Sequence, residues 1–215
     1  MKILFCGDSI TDAGRARVDG ASTGLGFGLL GMGYAFLVSA HLGYAEPGKY
    51  EFINRGISGD RIVDIYARMK KDIISLKPDV MSIFVGVNDA WHDFAEIQNG
   101  VSPEKFYKVY DMLIEEVKQE LPDIKIMIIA PASLRTYEDP EKNKAFNEEV
   151  KKRAEMAKKI ADKYNLPFVE LQKGFDELSK KEKDSYWLLD GVHPSPMGHE
   201  FIKNKWLEAF YEMMK

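Results

Sequence analysis

Ser9 stands in "GDSIT", directly after the apolar run "KILFC" at 2–6. Gly, Asp and Ser are ordinary turn residues, but a turn at a strand end is also where a nucleophilic hydroxyl can be presented. A serine hydroxyl attacks efficiently only when a base takes its proton. The chain has four histidines, and one of them, His193 in "DGVHPSPMGH", follows Asp190 by three residues. A carboxylate beside an imidazole fixes its tautomer and stabilises the charge it gains. Pro194 turns His193 away from helical geometry, which suits a side chain held on a loop. Taken alone, the pair also reads as a turn aspartate and a surface histidine. Acyl transfer further needs N–H groups aimed at a developing oxyanion. "NRGISGD" (54–60) offers the Gly59 N–H and "GVNDAW" (86–91) the Asn88 Nδ2. Each also reads alone as turn chemistry, a helix-start turn and an Asx-type turn.

These residues need elements to bring them together. "KILFC" (2–6), "YEFIN" (50–54), "DVMSIFV" (79–85), "IKIMIIA" (124–130) and "LPFVEL" (166–171) read as strands whose continuous hydrophobicity suits burial on both faces. Helical spacing marks 34–43, 61–77, 102–121, 139–165 and the stretch from Pro196 onward. Ser102 followed by Pro103 is a helix-start signal. Alternating strands and helices imply βαβ units, an α/β fold with an open parallel sheet covered on both faces. Ligand sites in such sheets form outside the carboxyl ends of the strands. Ser9, Gly59, Asn88 and the loop 131–139 all follow strands. The segments 14–33, 86–101, 131–139 and 184–199 read as irregular, and the charge-rich helix around 141–163 as a solvated face.

The 215 residues fit one domain, 1–215, with 45% hydrophobic and 30% charged residues. A net charge of -4 gives no electrostatic reason for a nucleic-acid or anionic-membrane partner. The single cysteine, Cys6, lies in the first apolar run and reads as a buried thiol. No run has the roughly 20 apolar residues of a membrane span, and Lys2 is followed by too short an apolar stretch for a secretory signal. The expected location is cytoplasmic.

Together, "GDSIT", "NRGISGD", "GVNDAW" and "DGVHPSPMGH" resemble the four ordered blocks of the GDSL esterase, or SGNH hydrolase, family. The resemblance covers nearly the whole chain. It implies a flavodoxin-like three-layer α/β/α sandwich with a five-stranded parallel sheet. It also implies Ser9 as nucleophile, with its own N–H, Gly59 and Asn88 as oxyanion donors, His193 as general base and Asp190 as its orienting acid. "GDSITDAGRAR", the run leading to "GMGY", "NRGISGDRI", "VNDAW" and "VHPSPMGH" look more narrowly like the branch of acetylxylan and xylo-oligosaccharide esterases. That branch implies a small acetylated sugar as substrate and raises the expectation of a homo-oligomer.

Trp91 and Trp187 lie near Asn88 and the Asp190–His193 segment, and are expected to contact a sugar or wall an acyl pocket, with core packing as the competing reading. Asp8 is expected to tie down the nucleophile loop, Asp60 and Asp89 to be turn residues, Arg15 and Arg17 to be solvated, and His199 to be structural. "GLGFGLLG" contains G-x-G-x-x-G but stands about twenty residues after the first strand, away from the position a dinucleotide site requires. No cofactor and no metal are expected. The competing functions are a lysophospholipase or thioesterase of longer acyl preference and a non-catalytic carbohydrate-binding domain.

Overall fold

The computed structural model describes residues 1–17, 28–95 and 98–215. The first half of the dinucleotide-like glycine run, 24–27, falls outside them. Strand β1 (Lys2–Gly7) shows why the sheet forms. Successive side chains point to opposite faces, and both sets are apolar: Ile3 and Phe5 enter one core, Leu4 and Cys6 the other. Four further strands pair parallel to it or to one another: β2 (Glu51–Gly56), β3 (Val80–Phe84), β4 (Lys125–Ile129) and β5 (Phe168–Val169). Their order is β2-β1-β3-β4-β5. The order reverses beside β1, and such a switch point opens a crevice at the carboxyl edge.

Helices cover both faces: α1 (Ser9–Asp12), α2 (Tyr34–Ala45), α3 (Ile62–Asp72), α4 (Val87–Phe94), α5 (Pro103–Glu120), α6 (Pro140–Tyr164), α7 (Gln172–Ser179), α8 (Asp184–Trp187) and α9 (Pro196–Met213). Their starts follow local chemistry. Ser102 Oγ accepts from Lys105 N at 3.3 Å with Pro103 next in line, and Asp139 caps α6 through Glu141 N at 2.9 Å. Trp206 and Phe210 of α9 are buried and stacked, their ring centroids 5.1 Å apart. The fold is thus a five-stranded all-parallel α/β/α sandwich, as expected. Cys6 is buried and its thiol is pushed up to about 11 by burial. Among the described residues no helix is long and apolar enough to cross a membrane.

Two expectations change. The stretch 86–101, read as irregular, contains α4, and 184–199 contains α8. Both are short and rich in Asn, Asp or Ser, residues that compete with helical backbone bonding. Tertiary contacts hold them: α4 packs on α6 and carries the fully buried Asp89.

Candidate active site

β1 ends at Gly7, where no side chain fits: a Cβ would lie 2.3 Å from Thr11 Oγ1 and 2.4 Å from Phe84 O. The chain then turns straight into α1, and Asp8 Oδ1 caps it by accepting from Ile10 N at 3.0 Å. This places Ser9 on the first turn beyond the sheet, with Oγ 2.8 Å from His193 Nε2.

His193 sits on the loop between α8 and α9. Its Nδ1 lies 2.7 Å from Asp190 Oδ2, while Asp190 Oδ1 accepts from His193 N at 2.8 Å and Val192 N at 3.0 Å. One carboxylate therefore holds both the ring and the backbone of its own loop. Burial opposes ionisation of Asp190, but these hydrogen bonds outweigh it and bring the carboxyl to about 2. The same bond raises His193 above the usual histidine value, against the opposing effect of burial. The His193 and Asp190 side chains are 40% and 49% exposed, so the pair can be reached from solvent.

Ser58, Gly59 and Asp60 turn beyond β2. Gly59 has φ +87°, a left-handed value that favours glycine. A Cβ there would meet nothing within 4 Å, so the space beside it is open. Among the described residues, the Ser9 and Gly59 N–H groups have no acceptor in the chain. Asn88, on the first turn of α4, is 7% exposed and donates from Nδ2 to Asp60 O at 3.1 Å. That bond uses one amide hydrogen and leaves the other free.

A second set of side chains stitches these turns together, and sequence reading did not single it out. Asp12 Oδ2 accepts from Ser58 N at 3.1 Å and from Arg17 at 2.7 Å. Arg15 Nε donates to Gly56 O at 2.8 Å and so serves the scaffold, whereas Arg17, with its side chain 57% exposed, stays largely solvated as expected. Arg68 of α3 donates from Nε to Asp60 Oδ2 at 2.7 Å, from Nη1 to Asp72 Oδ2 at 3.1 Å and from Nη2 to Gly7 O at 3.3 Å. One guanidinium thus spans the backbone leading into Ser9 and the aspartate whose carbonyl holds Asn88. Asp60 is an ion-pair partner in a half-buried network, more than a turn former. The sequence signal was an arginine three residues after the buried Ile65, on the inward stripe of α3. Arg68→Ala is expected to lower kcat for a small ester about tenfold or more with KM little changed. Exogenous guanidine should restore part of the rate, and a fall in KM alone would contradict this role.

Asp89 also departs from a turn role. Fully buried, it accepts from Ile62 N at 3.1 Å and anchors the start of α3, and burial pushes its carboxyl up to about 8. Asp8 ties down the turn that carries Ser9 as expected, but its Oδ2 is buried without a partner among the described residues. Burial brings that carboxyl to about 7. His199 is structural: Nδ1 accepts from Tyr34 N at 3.1 Å, and burial lowers the ring to about 4.

The two tryptophans separate. Trp91 lies one helical turn after Asn88 on the same helix, and its ring is 5.8 Å from that of His193. Trp187 packs edge-on to Tyr186 at 4.9 Å and against the core that includes Leu188 and Val192. Among the described residues no hydrogen bond or ring contact joins it to Ser9 or His193. Among those residues there is also no group of three or more His, Cys, Asp or Glu side chains arranged to hold a metal ion.

A hydroxyl, an imidazole and a carboxylate in hydrogen-bonded series, beside free N–H groups at the carboxyl edge of a parallel sheet, have the chemistry of a serine hydrolase. The model of the GDSL-like lipase/acylhydrolase family matches residues 5–201. An acetylxylan esterase from Geobacillus stearothermophilus is 34% identical over 212 residues, covering 96% of this chain and 92% of that one. Among solved structures, Axe2, an acetylxylan esterase from the same organism, superposes with a TM-score of 0.83 at 32% identity, covering 97% and 93% of the two chains. LAE5, an alpha/beta hydrolase enzyme from the Lake Arreo metagenome, gives 0.85 at 28% identity, with 97% and 94% covered. The chain belongs to the GDSL-like lipase/acylhydrolase family, and is a serine carboxylic-ester hydrolase.

Proposed function

We propose that the protein removes acetyl groups from small acetylated sugars, of the xylo-oligosaccharide kind, through a Ser-His-Asp acyl-enzyme mechanism. The observation that carries the reading is the unbroken series from Ser9 Oγ through His193 to Asp190, with spacings of 2.8 and 2.7 Å. Ser9 Oγ attacks the ester carbonyl as its proton passes to His193 Nε2. The oxyanion forms against the Ser9 and Gly59 N–H groups and the free Asn88 amide hydrogen. His193 then protonates the departing sugar hydroxyl. Water, deprotonated by the same imidazole, attacks the acetyl-Ser9 carbonyl and releases acetate. Asp190 stays ionised throughout and balances the imidazolium. The similarity to acetylxylan esterases supports the acetyl-sugar substrate. The reading is tested by acetate release from peracetylated xylose by the wild type and by Ser9→Ala; no release by the wild type would turn the assignment to longer acyl esters or thioesters.

The pH dependence follows from His193. The ring must be neutral to accept the Ser9 proton, and its raised pKa lies above the ordinary value of 6.5. The kcat/KM profile is therefore expected to fall on the acid side with a midpoint above 6.5. Asp190→Asn removes the main cause of that rise, so the midpoint should move to lower pH as the rate drops. A midpoint that does not move would contradict the coupling.

We infer that Trp91 walls the acyl or sugar subsite beside His193. Trp91→Ala is expected to raise KM for acetylated xylose about five- to tenfold. Trp187→Ala tests the matching expectation for Trp187: normal kinetics with a lowered unfolding temperature would assign it to packing.

A further inference from the structure

A cavity of about 1170 Å³ lies between one face of α6 and the wall running from the 131–135 loop through β5 to α7. None of Ser9, Gly59, Asn88, Asp190 and His193 lines it. Its volume exceeds the roughly 300–1,000 Å³ of small-molecule pockets, so its size suits a chain more than a single small ring. Along α6 it runs from Pro140 to Lys158, roughly 27 Å at the helical rise per residue.

Three observations indicate what kind of chain. The lining carries five basic and six acidic side chains, a near balance that favours neither a polyanion nor a polycation. Such mixed donors and acceptors suit hydroxyl groups, which both donate and accept. Second, two carboxamides four residues apart on α6 are fixed by their oxygens. Asn143 Oδ1 accepts from Thr136 N at 2.8 Å and Tyr137 N at 3.0 Å, and Asn147 Oδ1 accepts from Ser133 Oγ at 2.9 Å. Their NH₂ groups are left without a partner among the described residues.

The third observation is that the groove wall packs against the catalytic loop through the buried Phe146. Tyr137 lines the groove, and its ring lies 5.6 Å from Phe146. Phe146 lies 5.8 Å from Trp91, which lies 5.8 Å from His193. Leu134 N, on the groove wall, donates to Gly191 O at 2.8 Å, next to Asp190.

We propose that this groove binds the sugar chain beyond the acetylated ring, a neutral oligosaccharide whose hydroxyls meet Asn143 and Asn147. The proposal rests on the acetyl-sugar reading above and adds a location and a length preference to it. The charge-rich face of α6, which reads as merely solvated in sequence, is then the wall of a binding groove.

The test compares acetylated xylotetraose with acetylated xylose. The wild type is expected to show a KM for the tetramer about tenfold below that for the monomer. Ala154→Tyr, which plugs the groove from the α6 wall, should abolish that preference and leave monomer hydrolysis unchanged. If Ala154→Tyr fails to fold, Lys151→Trp, at an exposed position on the same wall, takes its place. A preference that survives the plug, or no preference in the wild type, overturns the proposal. If the wild type hydrolyses neither sugar ester, the acetyl-sugar reading itself fails. The groove is then read on its own by titrating unacetylated xylotetraose into Ser9→Ala. Saturable binding, weakened about three- to tenfold by Asn147→Leu as loss of one hydrogen bond implies, upholds the groove; no binding overturns it.

Discussion

Ser9→Ala is expected to lower kcat by about 10⁴- to 10⁶-fold on any ester the wild type turns over, as for other serine hydrolases that lose their nucleophile. The fold should survive. Ser9 is only partly buried, and its hydroxyl has one partner, His193 Nε2. The backbone bond from Ala13 N to Ser9 O, which holds α1, is untouched. His193→Ala should cost about as much, because a serine without its base is as ineffective as a base without its serine. The double variant should therefore be little worse than either single one. Costs that simply multiplied would mean that the two side chains act separately, against the 2.8 Å contact between them. Steady-state kinetics on p-nitrophenyl acetate, with thermal unfolding as the check on folding, gives this comparison.

The next largest effect is expected at Asn88. Asn88→Ala should lower kcat by about 10²- to 10³-fold with KM little changed, since the amide meets the oxygen only once charge develops on it. The carboxamide is already anchored by Asp60 O at 3.1 Å, so it is held in place before charge develops. Asn88→Asp should be at least as damaging, because a carboxylate replaces the donor with a charge that repels the oxyanion. A rate within a few-fold of wild type in Asn88→Ala would remove Asn88 from the oxyanion site. Equal losses in kcat and stability would assign it instead to holding the start of α4.

What sequence made legible follows from how local each cause is. β1 was readable because both of its faces are apolar over adjacent residues, and α5 because Ser102 and Pro103 mark its start within two positions. That Ser9, His193 and Asp190 meet was readable because each sits in a short segment whose turn residues are themselves distinctive. Arg68 was not, because its meaning lies in Gly7, Asp60 and Asp72, which come together only when α3 packs beside the sheet. α4 was missed because Asn88 and Asp89 favour turns locally, and only burial of Asp89 against the start of α3 makes a helix the better outcome. Trp91 and Trp187 looked alike by distance along the chain, but α4 sets one against His193 while α8 turns the other into the core. The groove beside α6 is invisible in sequence, since its walls come from three segments, 130–138, 140–158 and 168–184, that only the fold sets face to face.

The role of Ser9 is read most directly by covalent labelling. Wild-type protein would be treated with one equivalent of an aryl phosphonate ester and followed by intact mass and peptide mapping. One adduct per chain is predicted, on the peptide containing Ser9, with no adduct in Ser9→Ala and a labelling rate that falls sharply in His193→Ala. Stoichiometric labelling at another residue, or equal labelling of Ser9→Ala, would contradict Ser9 as the nucleophile.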